Sequence, residues 1–377
     1  MSAWPDKFVI GLTGNIATGK SIVRRMLEHL GAYGIDADAL GHRAMAVYAP
    51  GFKPVVETFG KWILDSDGQI DRRKLAHVVF SDPDALASLE AIIHPLVGQA
   101  IDFLLKRATH KIVVIEAIKL LEAKLHERCD SVWVAHAAPE TQLARLVRTR
   151  KISAVDAQQR MRSQPPQQEK LDSADVVIYN TGSFEDTWKQ VLSAWQEVVL
   201  DKVVIAERPE AAVEGEFFVM RAGPDQADEI AAFITEITKG SRDLERQDVM
   251  AAFGEKAFLL LKKDDQIIGL LGWQVENLVS RVDEIYLRPD IPLQASVNLL
   301  AGEMERASKE LLCEAALLFL PPKLARHQAI WGALDYEPKS VEDLSVRIWR
   351  EAANESMPSG SVMFFKRLRA DRVLRPV

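Results

Sequence analysis

Residues 11–21 read GLTGNIATGKS, and within them Gly14, Gly19, Lys20 and Ser21 keep the spacing G-x-x-x-x-G-K-[ST]. An apolar run precedes the motif and an amphipathic pattern follows it, the strand–turn–helix context that a phosphate-binding loop requires. Glycines let the backbone amides across Asn15, Ile16, Ala17, Thr18 and Gly19 turn inward on phosphate oxygens, and the helix N-terminus adds positive potential. Lys20 then reaches the β and γ phosphates of a bound nucleotide, and Ser21 is placed to ligate its Mg²⁺. The competing account is an ordinary glycine-bearing turn. Nucleotide binding alone does not establish transfer, because such loops also serve switches and motors.

Transfer needs an acceptor side. The stretch IDAD ends the next apolar run and is expected to place Asp36 and Asp38 on one side of an extended segment. Two carboxylates beside Mg·ATP can hold metal-bound water and accept the proton of an attacking hydroxyl. The alternative is that one of them merely caps the following helix, ADALGHRAM, where Asp is common. Both accounts stay open on these residues alone.

The elements that position these groups are legible as alternation. FVIGLT, YGIDAD, KIVVIEA, SVWVAHA and DVVIYN read as buried parallel strands with helical stretches between them. That order implies a doubly wound α/β layer with its ligand at the carboxyl ends of the strands, where Asp36, Asp38 and Glu116 all fall. Trp188, Leu192, Trp195 and Val199 recur at helical spacing and close this domain by packing. AERPEAAVEGE then reads as a linker, giving domains over 1–203 and 216–377 joined by 204–215.

The second half has another rhythm. EFFVMRA is strand-like, DQADEIAAFITEI helical, and KAFLLLKKDDQIIGLLGWQVEN a hairpin. RVDEIYLRP reads as a strand, ASVNLLAGEMERASKELL as a helix, AALLFLP as a strand, KLARHQAIWGAL as one helix and SVMFFKRL as a final strand. The expectation is an α+β domain with a mainly antiparallel sheet.

The 377 residues suffice for two cores, and 48% hydrophobic with 27% charged residues is ordinary for globular protein. A net charge of -7 gives no global basic field, so neither nucleic acid nor an anionic membrane is an expected partner. Cys129 and Cys313 lie far apart without metal-type spacing, which fits a reducing cytoplasm. The N-terminal residues lack a basic segment followed by a sustained apolar run, and no later stretch is read as long enough to span a bilayer.

GLTGNIATGKS, LGAYGIDADALGHR, APGFKPVVETFG, ILDSDGQIDRRKLAHVVFSD, LEAIIHPLV, PETQLARL and ADVVIYNTGS follow one another in an order and spacing that resemble the dephospho-coenzyme A kinases, over residues 8 to about 200. The resemblance implies a P-loop, nucleoside-monophosphate-kinase-like α/β fold. It also implies transfer of the γ-phosphoryl of ATP to the ribose 3′-hydroxyl of dephospho-coenzyme A, the last step of coenzyme A synthesis. It makes Asp38 the base and Asp36 its neighbour near metal and acceptor ribose, with Gly14 to Ser21 holding ATP. His94, in IIHPLV, corresponds to a contact near the acceptor pocket or to a structural histidine, and Asn180 and Gly182 to the segment near the adenine or to loop hydrogen bonding.

The chain departs from that pattern in places. Glu116 stands where the family has aspartate, Ile118 where it has proline, and Lys119 where it has an apolar residue. In the lid the expected arginine is Thr149, flanked by Arg148 and Arg150, while Arg145 matches the family's earlier arginine. On a helix a one-residue shift rotates a side chain by about 100°. Arg145, Arg148 and Arg150 are expected to meet phosphate, whereas Arg160 and Arg162 read as a solvated face. His42 and Tyr179 replace an arginine and an aspartate.

The carboxyl half resembles the GNAT acetyltransferases by element order. The family's pyrophosphate loop should follow LRP, yet DIPLQAS has no glycine and carries a proline that removes an amide donor. A GNAT-like domain that binds coenzyme A or acyl-coenzyme A without acetyl transfer is the expectation, with Tyr336 a packing residue. Against the kinase stand two alternatives: a nucleotide-binding regulatory module without turnover, and an acyl-coenzyme A-dependent acyltransferase acting through the carboxyl half. The oligomeric state is left open.

Overall fold

The computed structural model describes residue 4 and residues 6–150, 153–200 and 217–369, excepting the side chains of 149, 150 and 200. The chain divides into two compact units, Met1–Ile205 and Ala206–Asp371. The linker read at 204–215 lies outside the described residues.

The first unit begins with β1 (Phe8–Thr13), whose residues are all buried, and α1 (Lys20–His29). Then come β2 (Tyr33–Asp36), α2 (Ala37–Ala44), α3 (Phe52–Phe59), α4 (Arg72–Val79) and the long α5 (Pro83–Arg107). The remainder is β3 (Ile112–Glu116), β4 (Ser131–His136), α6 (Pro139–Arg150), α7 (Ala154–Arg162), α8 (Gln167–Asp172), β5 (Val176–Tyr179) and α9 (Phe184–Ala194). The sheet order is β2-β3-β1-β4-β5, and every pairing is parallel.

This follows from the sequence: continuous apolar runs suit strands covered on both faces, and parallel strands require crossovers. Leu12, Trp133 and Ile178 bury one face of the sheet against Val23, Met26 and Leu27 of α1 and against Val191, Trp195 and Val199. The strand carboxyl ends, the phosphate loop and the start of α1 thereby come to one edge.

Two readings need correction here. β2 stops at Asp36, which becomes the N-cap of α2 by accepting from the amide of Ala39 at 2.8 Å, so Asp38 lies in the first helical turn rather than on an extended segment. Capping, one of the two accounts left open, holds for Asp36. Second, α5 is long and apolar enough to cross a membrane by length and composition. It packs against α2, α3 and α4, burying Ile93, Val97, Ala100, Ile101, Leu104 and Leu105 at helical spacing.

The second unit runs β6 (Phe217–Arg221), α10 (Ala227–Ile237), α11 (Arg246–Phe253), β7 (Ala257–Lys263), β8 (Gln266–Glu276), β9 (Val279–Leu287) and α12 (Leu293–Glu310). It continues with β10 (Ala315–Leu320), α13 (Pro322–Ala325), α14 (Gln328–Gly332), β11 (Glu337–Pro338), α15 (Arg347–Ser356) and β12 (Val362–Arg367). Its strand order is β11-β12-β10-β9-β8-β7-β6. The sheet is antiparallel except between β9 and β10, which pair in parallel from Val279↔Ala315 to Val282↔Leu318.

KLARHQAIWGAL forms two short helices instead of one, separated near His327, and α11, β11 and α15 were not anticipated. Tyr336 is buried and meets Trp331 edge to face, at 6.4 Å between ring centroids, inside the core. Pro292 is the N-cap of α12 and has no amide N–H of its own to donate.

Candidate active site

The loop between β1 and α1 can be built only with glycine at two points. Gly14 has φ +147°, and a Cβ there would lie 2.4 Å from the carbonyl oxygen of Ala135. Gly19 has φ +92°, and its Cβ would fall 1.8 Å from Asn180 Nδ2. Gly19 caps α1 without a side chain, so the first amides of the helix, those of Lys20 and Ser21 among them, point out of it without intrahelical acceptors. Such an end attracts an anion.

The loop is held from three sides. Thr18 Oγ1 donates to the Asn15 carbonyl at 2.9 Å. The amides of Asn15 and Ile16 donate to Gln167 Oε1 at 2.8 Å and Gln164 Oε1 at 2.7 Å, from the α7–α8 connection and the start of α8. Asn180, buried just after β5, donates through Nδ2 to Thr18 O at 3.0 Å and accepts from Thr187 at 3.1 Å. Arg145 of α6 donates to Ala17 O at 3.2 Å and Asn180 O at 2.8 Å, which ties the lid helix to the loop.

Lys20 is buried, and its ammonium donates to Asn15 O at 3.3 Å. Burial lowers its pKa, against the opposing pull of Glu116 and Asp38. Glu116, at the end of β3, accepts from Ser21 Oγ at 2.8 Å and from Arg24 Nε at 2.7 Å. Burial alone would push Glu116 up; Arg24 and Lys20 overcome it and hold the carboxyl below its usual range. Asp36, register partner of Glu116, is pushed up to about 6 by burial and by that neighbouring carboxylate. Asp38 is raised by burial as well, offset by Lys20 and by the amide of Ile118, which donates to Asp38 Oδ2 at 3.1 Å.

Gly14 to Ser21, Asp36, Asp38 and Glu116 thus form one electrostatic cluster at the strand ends. Other residues singled out in the sequence lie elsewhere or do other work. His94 is exposed on α5. A Cβ on Gly182 would meet Asp186 Oδ2 at 2.8 Å, beside the capping box that Ser183 and Asp186 build for α9. Arg148 is exposed, and the side chain of Arg150 lies outside the described residues.

Arg24, Gln164, Gln167 and Lys170 escaped the sequence reading. Arg24 stands three residues after Ser21, a spacing that puts both on one helix face and offered a signal. The glutamines sit in SQPPQQ, which carries no charge or motif. Among the described residues no group of three or more His, Cys, Asp or Glu forms a metal cage.

The family model described as dephospho-CoA kinase matches residues 8–186. A dephospho-CoA kinase of Geobacter metallireducens is 43% identical over 192 residues, 50% of this chain and 96% of its own length. One from Streptomyces avermitilis is 44% identical over 191 residues, 50% of this chain and 93% of its own. Among solved structures, TT1252 from Thermus thermophilus is 32% identical, over 51% of this chain and 98% of its own, with a TM-score of 0.46. A GNAT-family acetyltransferase from Staphylococcus aureus covers 41% of this chain and 100% of its own, at 16% identity and a TM-score of 0.33. Relatives matched over nearly their whole length at more than 40% identity settle the first unit: through it, the chain belongs to the dephospho-CoA kinase family.

Proposed function

We propose that the first unit transfers the γ-phosphoryl group of ATP to the ribose 3′-hydroxyl of dephospho-coenzyme A, giving ADP and coenzyme A. The observation that carries the site assignment is the meeting of a phosphate loop with the carboxylates of Asp36, Asp38 and Glu116 at the ends of β2 and β3. Lys20 and the first amides of α1 take the phosphate charge. Asp38 receives the hydroxyl proton as the acceptor oxygen bonds to phosphorus and the bond to the ADP oxygen breaks. Its carboxylate is oriented by the Ile118 amide, which leaves Oδ1 for the acceptor.

Mg²⁺ fits the donor set as a nucleotide-borne ion, because such ions take phosphate oxygens with one or two protein oxygens rather than a full protein cage. Ser21 Oγ and the carboxylate of Asp36 would hold it, and Glu116 already orients the Ser21 hydroxyl. Bound there, it would neutralise charge on the transferring group. Arg145 fixes the lid helix against the loop, and Arg148, exposed one turn on, is free to meet phosphate; Arg150 shares that proposed role. Asn180 and Gly182 border the donor's base, and His94 borders the acceptor.

The second unit is proposed to hold coenzyme A or an acyl-coenzyme A without acyl transfer. The two alternatives are not favoured: identity above 40% to kinases over the first unit speaks against loss of turnover and against an acyltransferase as the principal activity. A cytoplasmic enzyme is the setting this reaction implies. Lys20→Ala and Asp38→Asn test the site. Each should retain the fold and lose coenzyme A formation by at least ~100-fold; unimpaired turnover in either would move the site elsewhere.

A further inference from the structure

We infer that the segment from Gln164 to Lys170 is a bracket that sets the ATP loop against the acceptor base, with Gln167 and Lys170 as positioning residues for phosphoryl transfer. The inference rests on the reading of Gly14–Ser21 as the ATP loop and Asp38 as the base.

Three side chains at intervals of three residues carry it. Gln164 Oε1 accepts from the amide of Ile16 at 2.7 Å, and Gln167 Oε1 accepts from that of Asn15 at 2.8 Å. Gln167 Nε2 donates to Ala135 O at 3.1 Å, and Pro165 O accepts from Asn15 Nδ2 at 3.0 Å. Because both partners of Gln167 are backbone groups of fixed polarity, its amide has one orientation only. One turn later, Lys170 is buried and donates its ammonium to Ile118 O, with Glu122 Oε1 at 3.3 Å. Thr13 Oγ1, at the end of β1, also donates to Ile118 O, at 3.1 Å.

Residue 118 therefore faces both ways. Its carbonyl is pinned by Lys170 and Thr13, and its amide orients Asp38 Oδ2. A rigid segment that grips residues 15 and 16 at one end and residue 118 at the other fixes the distance between donor and base. In-line transfer is sensitive to that distance: a displacement of about 1 Å can cost roughly 100-fold in rate. A buried ammonium is costly to desolvate, and here it is placed on a carbonyl beside the base, with Glu122 as its counter-charge.

A merely structural role would lower stability and scale all turnover together. A positioning role predicts uncoupling, since ATP that is bound but poorly aligned with the acceptor loses its phosphoryl group to water. The measurement is ADP formed per coenzyme A formed, in the full chain with Mg·ATP and dephospho-coenzyme A, alongside the melting curve and the KM for ATP.

The unaltered chain should give a ratio near one. Lys170→Met should lower kcat for coenzyme A by ~30- to 100-fold and raise the ratio, with KM for ATP within about threefold. Lys170→Arg, which keeps a cationic donor, should recover most of the coupling. Gln167→Met should instead raise KM for ATP by about tenfold, as the loop loses its bond from the Asn15 amide and the bracket its bond to Ala135 O on β4. If Lys170→Met does not fold, Gln167→Met decides: it loosens the same bracket at its loop end, and its ratio should rise above one, whereas Lys170→Arg should stay near one. A ratio that stays at one while kcat falls only in step with stability overturns the bracket, as does full activity in Lys170→Met. Absence of coenzyme A with the unaltered chain overturns the functional reading itself, and the bracket with it.

Discussion

Asp36 and Glu116 are register partners on the neighbouring parallel strands β2 and β3, two carboxylates at the same sheet edge. They divide the available partners unequally: Glu116 takes Arg24 and Ser21, while Asp36 takes the amide of Ala39. Glu116 is consequently held ionised, and Asp36 is the member pushed up to about 6. The geometry creates a carboxyl that ionises reluctantly until a cation arrives, which suits the proposed Mg²⁺ role.

This predicts a pH-dependent effect of Asp36→Asn in metal-free, nucleotide-free protein. With its native pKa raised from 3.8 to about 6, Asp36 binds more protons folded than unfolded between those values, so its contribution to stability falls as pH rises through that window. Asparagine retains an oxygen for the Ala39 amide and never ionises. Asp36→Asn should therefore be more stable than the unaltered chain by roughly 3 kcal/mol at pH 8 and within about 0.5 kcal/mol of it near pH 4. Urea unfolding at both pH values checks this, and an equal difference at both would count against the shifted Asp36. Activity should be lost in the same variant.

Glu116→Ala should be damaging for a different reason. It removes one of the two carboxylates in ion-pair contact with the buried guanidinium of Arg24, leaving Glu28, and frees the Ser21 hydroxyl. A loss of roughly 3 kcal/mol in unfolding free energy is expected, the scale for breaking a buried pair. Glu116→Gln, which can still accept from Ser21, should lose about half as much. Chemical denaturation of the three proteins side by side measures the order.

Asn180→Ala tests the donor side. Removing its amide leaves Thr18 O without this donor and the Thr187 hydroxyl with Ser183 O alone, and takes away the group that Gly19 is shaped around. KM for ATP should rise by roughly tenfold, while KM for dephospho-coenzyme A changes less than about twofold, because the lost interactions border the ATP loop alone. Steady-state kinetics with each substrate varied in turn gives the two values.

What was legible in the sequence was whatever local pattern dictates. Five apolar runs between helical stretches gave the parallel sheet, and Gly14 to Ser21 gave the loop, because strand burial and a tight glycine turn are written in adjacent residues. The three carboxylates were found because strand carboxyl ends share an edge in such a sheet. Asp36 and Asp38 were misplaced because IDAD spans a strand–helix boundary, where Asp36 caps instead of extending.

The supports of the site were hidden for a different reason. Gln164, Gln167 and Lys170 lie about 150 residues from the loop they hold or about 50 from Ile118, so only the closed fold brings them together. Their interactions run to backbone atoms, which have no sequence signature. In the second unit, the split of KLARHQAIWGAL at His327 and the helix Arg347–Ser356 went unread because short helices depend on tertiary packing more than on periodicity.

The central claim is phosphoryl transfer from ATP to dephospho-coenzyme A by the first unit of this chain. Full-length protein incubated with Mg²⁺, dephospho-coenzyme A and ATP labelled in its terminal phosphate tests it most directly. The label is predicted to appear in coenzyme A, one per ADP, and to vanish from that product in Lys20→Ala. Label found only in inorganic phosphate, or retained in ATP while the nucleotide is bound, would contradict it.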